Sequence, residues 1–410
     1  MDAVSASMSF FEAPNCLSFS SFRTCSRGSS IPLRFRALQL QPLSVCAADP
    51  SSELCVVLSG GGSGGHIFPA LAIADELRAV RPSARIVFLG TATGMESDVV
   101  PSAGYEFVPV PKFQLLHSIA VSAATLSRLH PKVVVGTGAY VSAPVCFAAV
   151  LFGIKLVIQE QNCYPGITNR VLAPYAEKIF LAFNACMKYF PRNKCLVCGN
   201  PRRLSGSTSA GASKAEPRLH FFPEAKNMDE NGQIVLVLGG STGANALNLA
   251  FLEMYYDMLV ERKNRYIIWQ TGAEWFNDVK QIAKDHPRLL LTPFLDAMEL
   301  AYATADLVVS RAGAMTCTEI LTAGKPSILI PSPTATDDHQ TKNAYAMADL
   351  AGSLVLVEDE LDSVNLHNAI NNVLGMCNFL WNVLVCYLKF FIWNEFWKIG
   401  VISCRPNLMH

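Results

Sequence analysis

Chemistry is signalled first by two glycine-dense runs and by the histidine that ends one of them. GGGSGGH occupies Gly60 to His66, and GGSTGA occupies Gly239 to Ala244. Each follows an apolar run rich in β-branched residues, Leu54 to Ser59 and Ile234 to Leu238. Glycines let backbone N–H groups approach a phosphate closely, and a helix N-terminus adds partial positive charge. Two such loops suit two diphosphate-bearing substrates, although either alone could be a tight strand-to-helix turn. Gly60, Gly62 and Gly65 also fit the G-x-G-x-x-G spacing of dinucleotide sites. Such a site wants a carboxylate at the end of the second strand to hold a ribose. That strand ends Phe88-Leu89-Gly90-Thr91, without one, so a nicotinamide cofactor is not expected. His66 carries the side chain most used as a base near neutral pH. A helix N-terminus disfavours a cationic ring, as a base requires. The competing reading is a capping or packing histidine.

Holding these loops in place calls for parallel strands with helices between them. Ile67, Leu71, Ala74 and Leu77 share one helical face after the first loop, as do Leu247, Phe251, Met254 and Met258 after the second. Further strands are expected at Arg85–Leu89, Pro131–Val135, Lys155–Ile158, Lys178–Leu181 and Lys194–Val197. Tyr266–Trp269, Leu307–Val309 and Ser327–Ile330 continue the series. Runs of this kind are strands buried on both faces. The expected fold class is α/β, with two doubly wound parallel-sheet, Rossmann-like domains facing a cleft at the carboxyl ends of their strands. Residues 51–204 form the first domain and 234–375 the second. A Ser-, Gly-, Ala- and charge-rich linker or surface loop at 205–233 joins them.

The longer runs carry a resemblance. GGGSGGHIFPALAIADEL, FLGTATGMESDVVP, VVVGTGAYVSAP, VIQEQNCYPGITNR, VCGNPRR, LVLGGSTGANALN, RAGAMTCTEILTAGKPSILIP and DDHQTKNAYAMAD follow one another over about residues 54–360. Together they resemble the MurG-type N-acetylglucosaminyltransferases. The resemblance implies a two-domain GT-B fold and an inverting glycosyltransferase that needs no metal or cofactor. It implies UDP-N-acetylglucosamine as donor, bound mainly by the second domain. The acceptor would be a lipid-linked muramyl-pentapeptide, lipid I, glycosylated on its C4 hydroxyl at a membrane surface to give lipid II. Carried over by position, Ser63, Gly64 and Gly65 match the first loop, and His66 matches its base. Asn162 matches a donor contact, Arg203 the arginine closing GNP-x-R, and Ser241 the serine near the donor diphosphate. Leu295 matches a residue beside the uracil. Ala314, Met315, Thr316, Cys317, Thr318 and Glu319 match the segment holding the nucleoside, with Glu319 on the ribose hydroxyls, and Gln340 lies near the sugar. No D-x-D run appears in these motifs, in keeping with the metal independence that the resemblance implies.

Composition sets limits around this reading. Apolar residues make up 51% and charged ones 16%, enough for two large cores, and 33 basic residues balance 33 acidic ones. That balance argues against nucleic acid as a partner and leaves room for a local basic patch at a membrane. Residues 1–50 hold ten serines, four arginines, no lysine and three acidic residues, which reads as an organellar transit peptide, plastid before mitochondrion. The expected location is the chloroplast stroma, peripheral on the inner envelope or thylakoid membrane. Cys195 and Cys198 are expected on a buried strand rather than in a metal or redox site.

Three features depart from the family pattern. The segment between Val110-Pro111-Lys112 and the VVVGTG strand is short, with Lys112, Arg128 and Lys132 as its basic residues. Ala139 stands where a second glycine is usual before Tyr140. After about Gly375 the pattern stops, and residues 376–410 form a divergent apolar tail with Trp381, Trp393 and Trp397. A non-catalytic nucleotide-sugar-binding protein or inactive splice form is thus the competing function, and a galactolipid synthase-like transferase a lesser one.

Overall fold

The computed structural model describes residues 54–111, 115–202, 215–223, 232–240 and 243–376. The leader at 1–50, Lys112, Arg203, Ser241 and the tail beyond residue 376 lie outside the described residues. The first domain opens with β1 (Cys55–Ser59), α1 (Gly64–Val80), β2 (Arg85–Gly90), α2 (Glu96–Ser102), β3 (Glu106–Pro109) and α3 (Leu115–Leu129). It continues with β4 (Val133–Gly136), α4 (Ala139–Leu151), β5 (Lys155–Glu160), α5 (Ile167–Leu172), β6 (Lys178–Leu181) and β7 (Cys195–Val197). A short helix, α6 (Ala215–Phe221), precedes β8 (Gln233–Leu238), α7 (Asn245–Glu261), β9 (Arg265–Gln270), α8 (Phe276–Ile282) and β10 (Leu289–Thr292). Then come α9 (Met298–Thr304), β11 (Leu307–Ser310), α10 (Ala314–Ala323), β12 (Ser327–Leu329), α11 (His339–Ala351), β13 (Leu354–Val355) and α12 (Ser363–Met376).

Every strand pair is parallel. The first sheet runs β3-β2-β1-β4-β5-β6-β7 and the second β10-β9-β8-β11-β12-β13. Each is doubly wound, and strand order reverses between β1 and β4 and between β8 and β11. Those crevices are where such sheets bind ligands.

Both sheets are covered on both faces, which is why their strands read as continuous apolar runs. Val57, Val87, Val134 and Ile158 pack with Leu126 of α3 and Val145 and Ala149 of α4. On the other face, Val56, Leu58, Ile86 and Phe88 pack with Ile67, Ala70, Leu71 and Ala74 of α1. In the second domain Val235, Val237, Ile267 and Trp269 meet Phe251 and Met258 of α7 and Leu366 and Ile370 of α12. Ile234, Leu236 and Ile268 meet Tyr302 of α9, Ile320 of α10 and Met347 of α11. Burying each large side chain contributes about 1.5–3 kcal/mol, so both loops hang from stiff supports.

Part of the stretch read as a linker packs on the second domain. Arg218 of α6 pairs with Asp306 at 3.5 Å, and Phe222 is buried edge-on against Tyr266. Cys195 is half-buried rather than buried, because β7 closes the sheet as an edge strand with no neighbour beyond it among the described residues. Cys198, just past that strand, is half-buried too. Among the described residues no helix is long and apolar enough to cross a membrane.

Candidate active site

The first glycine loop is clamped between two polar side chains. On one side is Thr137, directly after β4. A Cβ at Gly60 would overlap its hydroxyl, so glycine is required for close approach here. The Thr137 hydroxyl donates to the His66 carbonyl at 2.8 Å. His66 Nδ1 lies 2.8 Å from the Thr137 carbonyl oxygen, which also accepts from Gln161 Nε2 at 2.7 Å. A carbonyl can only accept, so Nδ1 carries the proton of the neutral ring and Nε2 holds the lone pair. No described residue bonds Nε2. On the other side is Glu96, whose Oε2 accepts the Gly62 N–H at 3.0 Å. Ser63 is the extended N-cap of α1, and Gly64, Gly65 and His66 form its first turn; the His66 N–H donates to the Ser63 carbonyl at 3.2 Å, while those of Gly64 and Gly65 have no intrahelical acceptor.

The β4–α4 turn beside His66 is under backbone strain. Gly138 has φ +96°, and a Cβ there would come within 3.2 Å of His66 Nδ1. Ala139 follows with φ +63°, in the left-handed region that disfavours a side chain. The glycine-to-alanine departure seen in the sequence therefore falls on a residue whose backbone calls for glycine.

In the second domain, Gly240 and Gly243 of the loop after β8 have φ +81° and +105°. Gln270, at the end of β9, ties this loop to the next strand's exit. Its Nε2 donates to the Gly240 carbonyl at 3.0 Å, and its Oε1 accepts the Leu295 N–H at 3.1 Å. The Leu295 side chain is buried in the core and its N–H is taken by Gln270, so it offers a ligand only its main-chain carbonyl. Gly313 caps α10, and within that helix Ala314 and Cys317 point into the core while Met315, Thr316, Thr318 and Glu319 are half-buried. Cys317 is thus a packing residue, its thiol pushed far up by burial. Glu319 Oε2 accepts the Tyr302 hydroxyl at 2.9 Å. Burial raises the Glu319 pKa above the ordinary carboxylate value, against the lowering effect of Tyr302 and of the Arg202 charge. Gln340, in the first turn of α11, accepts the Ser332 N–H at 3.0 Å. Asp337 and Asp338 before it both have φ +54°.

Carboxyl-end loops of the two sheets meet along a seam of amides. Asn343 of α11 is fully buried; its Oδ1 accepts the Cys163 N–H at 2.9 Å. Its Nδ2 donates to Asn162 Oδ1 and to the Ala312 carbonyl, both at 3.2 Å. Asn200 Nδ2 donates to Thr318 Oγ1 at 3.0 Å and to the Gln161 carbonyl at 3.1 Å. Asn162, expected at the donor, thus has its side-chain oxygen engaged across the seam, and Thr318 is engaged likewise. Behind Asn162, the buried Glu160 holds the loop by accepting from the N–H groups of Asn162 and Gly166 and from Asn169 Nδ2.

The structure therefore brings Ser63, Gly64, Gly65 and His66 together with Thr137 and Gln161 at one switch point. Met315, Thr316 and Glu319 lie at the carboxyl end of the other sheet, with Gln340 on the next helix. Glu96, Glu160, Asn200, Gln270 and Asn343 hold these pieces and were not singled out in the sequence. Glu160 stood inside the EQN run that drew attention to Asn162.

Two doubly wound domains joined through their carboxyl-end loops have the GT-B arrangement, with a histidine at one switch point. The chain belongs to glycosyltransferase family 28: the family's N-terminal domain matches residues 56–181 and its C-terminal domain residues 234–380. It is 40% identical over 336 residues to the UDP-N-acetylglucosamine–N-acetylmuramyl-(pentapeptide) pyrophosphoryl-undecaprenol N-acetylglucosamine transferase of Salinibacter ruber, spanning 78% of this chain and 88% of that one. It is 35% identical over 337 residues to the enzyme of the same name from Bacillus cytotoxicus, spanning 78% and 90%. Among solved structures it is similar to Acinetobacter baumannii MurG, with a TM-score of 0.62 and 27% identity over 83% of this chain and 95% of that one.

Proposed function

We propose that the protein transfers N-acetylglucosamine from UDP-N-acetylglucosamine to the C4 hydroxyl of the muramyl sugar of lipid I, forming lipid II. The observation that carries this reading is 40% identity, over 78% of the chain, to a transferase named for that reaction. The site chemistry is consistent with it. His66 Nε2 takes the proton of the attacking hydroxyl while the Thr137 carbonyl holds Nδ1–H and steadies the ring that becomes cationic. The hydroxyl oxygen attacks the anomeric carbon from the face opposite the diphosphate, the bond to UDP breaks, and configuration inverts. First-turn N–H groups of α1 face the acceptor's diphosphate, and the segment from Gly313 to Glu319 holds the nucleoside of the donor. Charge developing on the leaving UDP meets fixed backbone dipoles rather than mobile water. Incubation of the protein with labelled UDP-N-acetylglucosamine and a lipid I analogue tests the reading. Label should appear in the lipid product; UDP binding without transfer would favour a non-catalytic binding protein.

The serine- and arginine-rich leader supports a plastid address, with the enzyme peripheral on the stromal face of the inner envelope or thylakoid membrane. Leu115 and Leu116, exposed at the start of α3, are apolar surface available for that contact. A reporter fused to residues 1–60 should enter plastids; a cytosolic reporter would remove the address.

A further inference from the structure

Beneath the first loop lies a carboxylate that has no part in the chemistry of transfer. Glu96, the first residue of α2, is 0% exposed. Its Oε1 accepts the Thr91 N–H at 3.0 Å and the Thr91 hydroxyl at 2.5 Å, and its Oε2 accepts the Gly62 N–H at 3.0 Å. A Cβ at Gly61, Gly90 or Gly94 would overlap this side chain, so three glycines, one ending β2 and one in each of two loops, leave the space it fills. Burial pushes its carboxyl up, but the bonds from Thr91 and Gly62 together outweigh burial and hold the pKa below its ordinary value. An ionised carboxylate, held by three donors, is thus buried directly behind the first loop, and those donors include a main-chain N–H of the loop itself.

Its effect is directional. The Gly62 peptide, at φ +78°, has its N–H turned inward to Glu96 and is not available to a ligand. Ser63 then caps α1 and its carbonyl accepts the His66 N–H, so the N–H groups open to a phosphate are those of Gly64 and Gly65. We propose that Glu96 is a positioning residue for the acceptor: by anchoring Gly62 it aims the first-turn N–H groups of α1 at the acceptor's diphosphate. This rests on the proposed transfer to a lipid diphosphate.

Glu96→Gln keeps the volume but sets an NH2 group against the N–H of Gly62 or of Thr91, donor against donor. Initial rates are measured with a lipid I analogue and UDP-N-acetylglucosamine, each varied in turn, beside a thermal melt. The variant should raise the acceptor KM by about tenfold or more while the donor KM stays within about twofold. Glu96→Asp, which keeps the charge, should recover part of that loss. If Glu96→Gln does not fold, Thr91→Val takes its place, removing one bond to the carboxylate and leaving both N–H bonds. It should raise the acceptor KM by about threefold with the donor KM unchanged. A folded Glu96→Gln, or Thr91→Val in its stead, with wild-type acceptor KM overturns the proposal, whereas a wild-type protein that transfers nothing overturns the transfer reading beneath it.

Discussion

Glu319 offers a substitution whose effects on stability and on binding should run in opposite directions. Glu319→Gln keeps the side-chain volume and an oxygen to accept the Tyr302 hydroxyl, which now lies 2.9 Å from Oε2. It removes a carboxylate whose pKa burial raises above 4.5. A carboxyl raised in the folded state contributes stability that is full below its unfolded pKa and is lost as pH rises through the folded value. Relative to wild type, the ligand-free variant should therefore gain stability as pH rises from acid to neutral. Binding should behave otherwise, because a carboxylate can accept from both ribose hydroxyls and an amide has one accepting oxygen. Loss of a charge-assisted bond is worth about 1.5–3 kcal/mol, or about 10- to 150-fold in the Kd for UDP. Calorimetry with UDP at neutral pH and urea unfolding across pH measure the two effects. Unchanged UDP affinity in the folded variant would refute the ribose role and leave Glu319 as a partner of Tyr302.

Two further substitutions test the scaffold. Ala139→Gly removes a Cβ from a backbone at φ +63°; relief of about 1–2 kcal/mol, less the added freedom of the unfolded glycine, should leave a net gain of about 0.5–1 kcal/mol. A higher urea midpoint at unchanged slope reports it, and a lower midpoint would mean that Ala139 is not strained. Asn343→Ala strands the Cys163 N–H and the Ala312 carbonyl inside the seam, and two unsatisfied groups should cost about 2–6 kcal/mol. A loss under about 1 kcal/mol by denaturant unfolding would show that these amides do not hold the domains together.

What could be read from sequence follows the range of the physics involved. Central strands such as β1 and β8 are buried on both faces, so their residue types alone announce them. Glu106–Pro109, Leu289–Thr292 and Leu354–Val355 were not singled out: β3, β10 and β13 are edge strands of two to four residues with partly exposed side chains, too short to stand out from their surroundings. His66 and the glycine loops were legible because strand, loop and helix N-terminus adjoin in the chain. Asn200 and Asn343 were not, since they bond to groups 118 and 180 residues away, and for Glu96 the nearby Thr91 gives no sign of the Gly62 N–H held 34 residues back; nothing in a lone Glu or Asn marks such a partner. Within the matched motif at α10, residue type also hid direction: Cys317 turns into the core while Glu319, two residues on, remains half-buried.

The central claim is that His66 Nε2, left open by the Nδ1–Thr137 bond, is the base for transfer. Initial rates of N-acetylglucosamine transfer to a lipid I analogue, wild type against His66→Ala, test it most directly, with a thermal melt to confirm folding. The variant should lose about 10²–10⁴-fold in kcat while its affinity for UDP-N-acetylglucosamine changes little. A stable His66→Ala protein that turns over at close to the wild-type rate would contradict the account and place the base elsewhere.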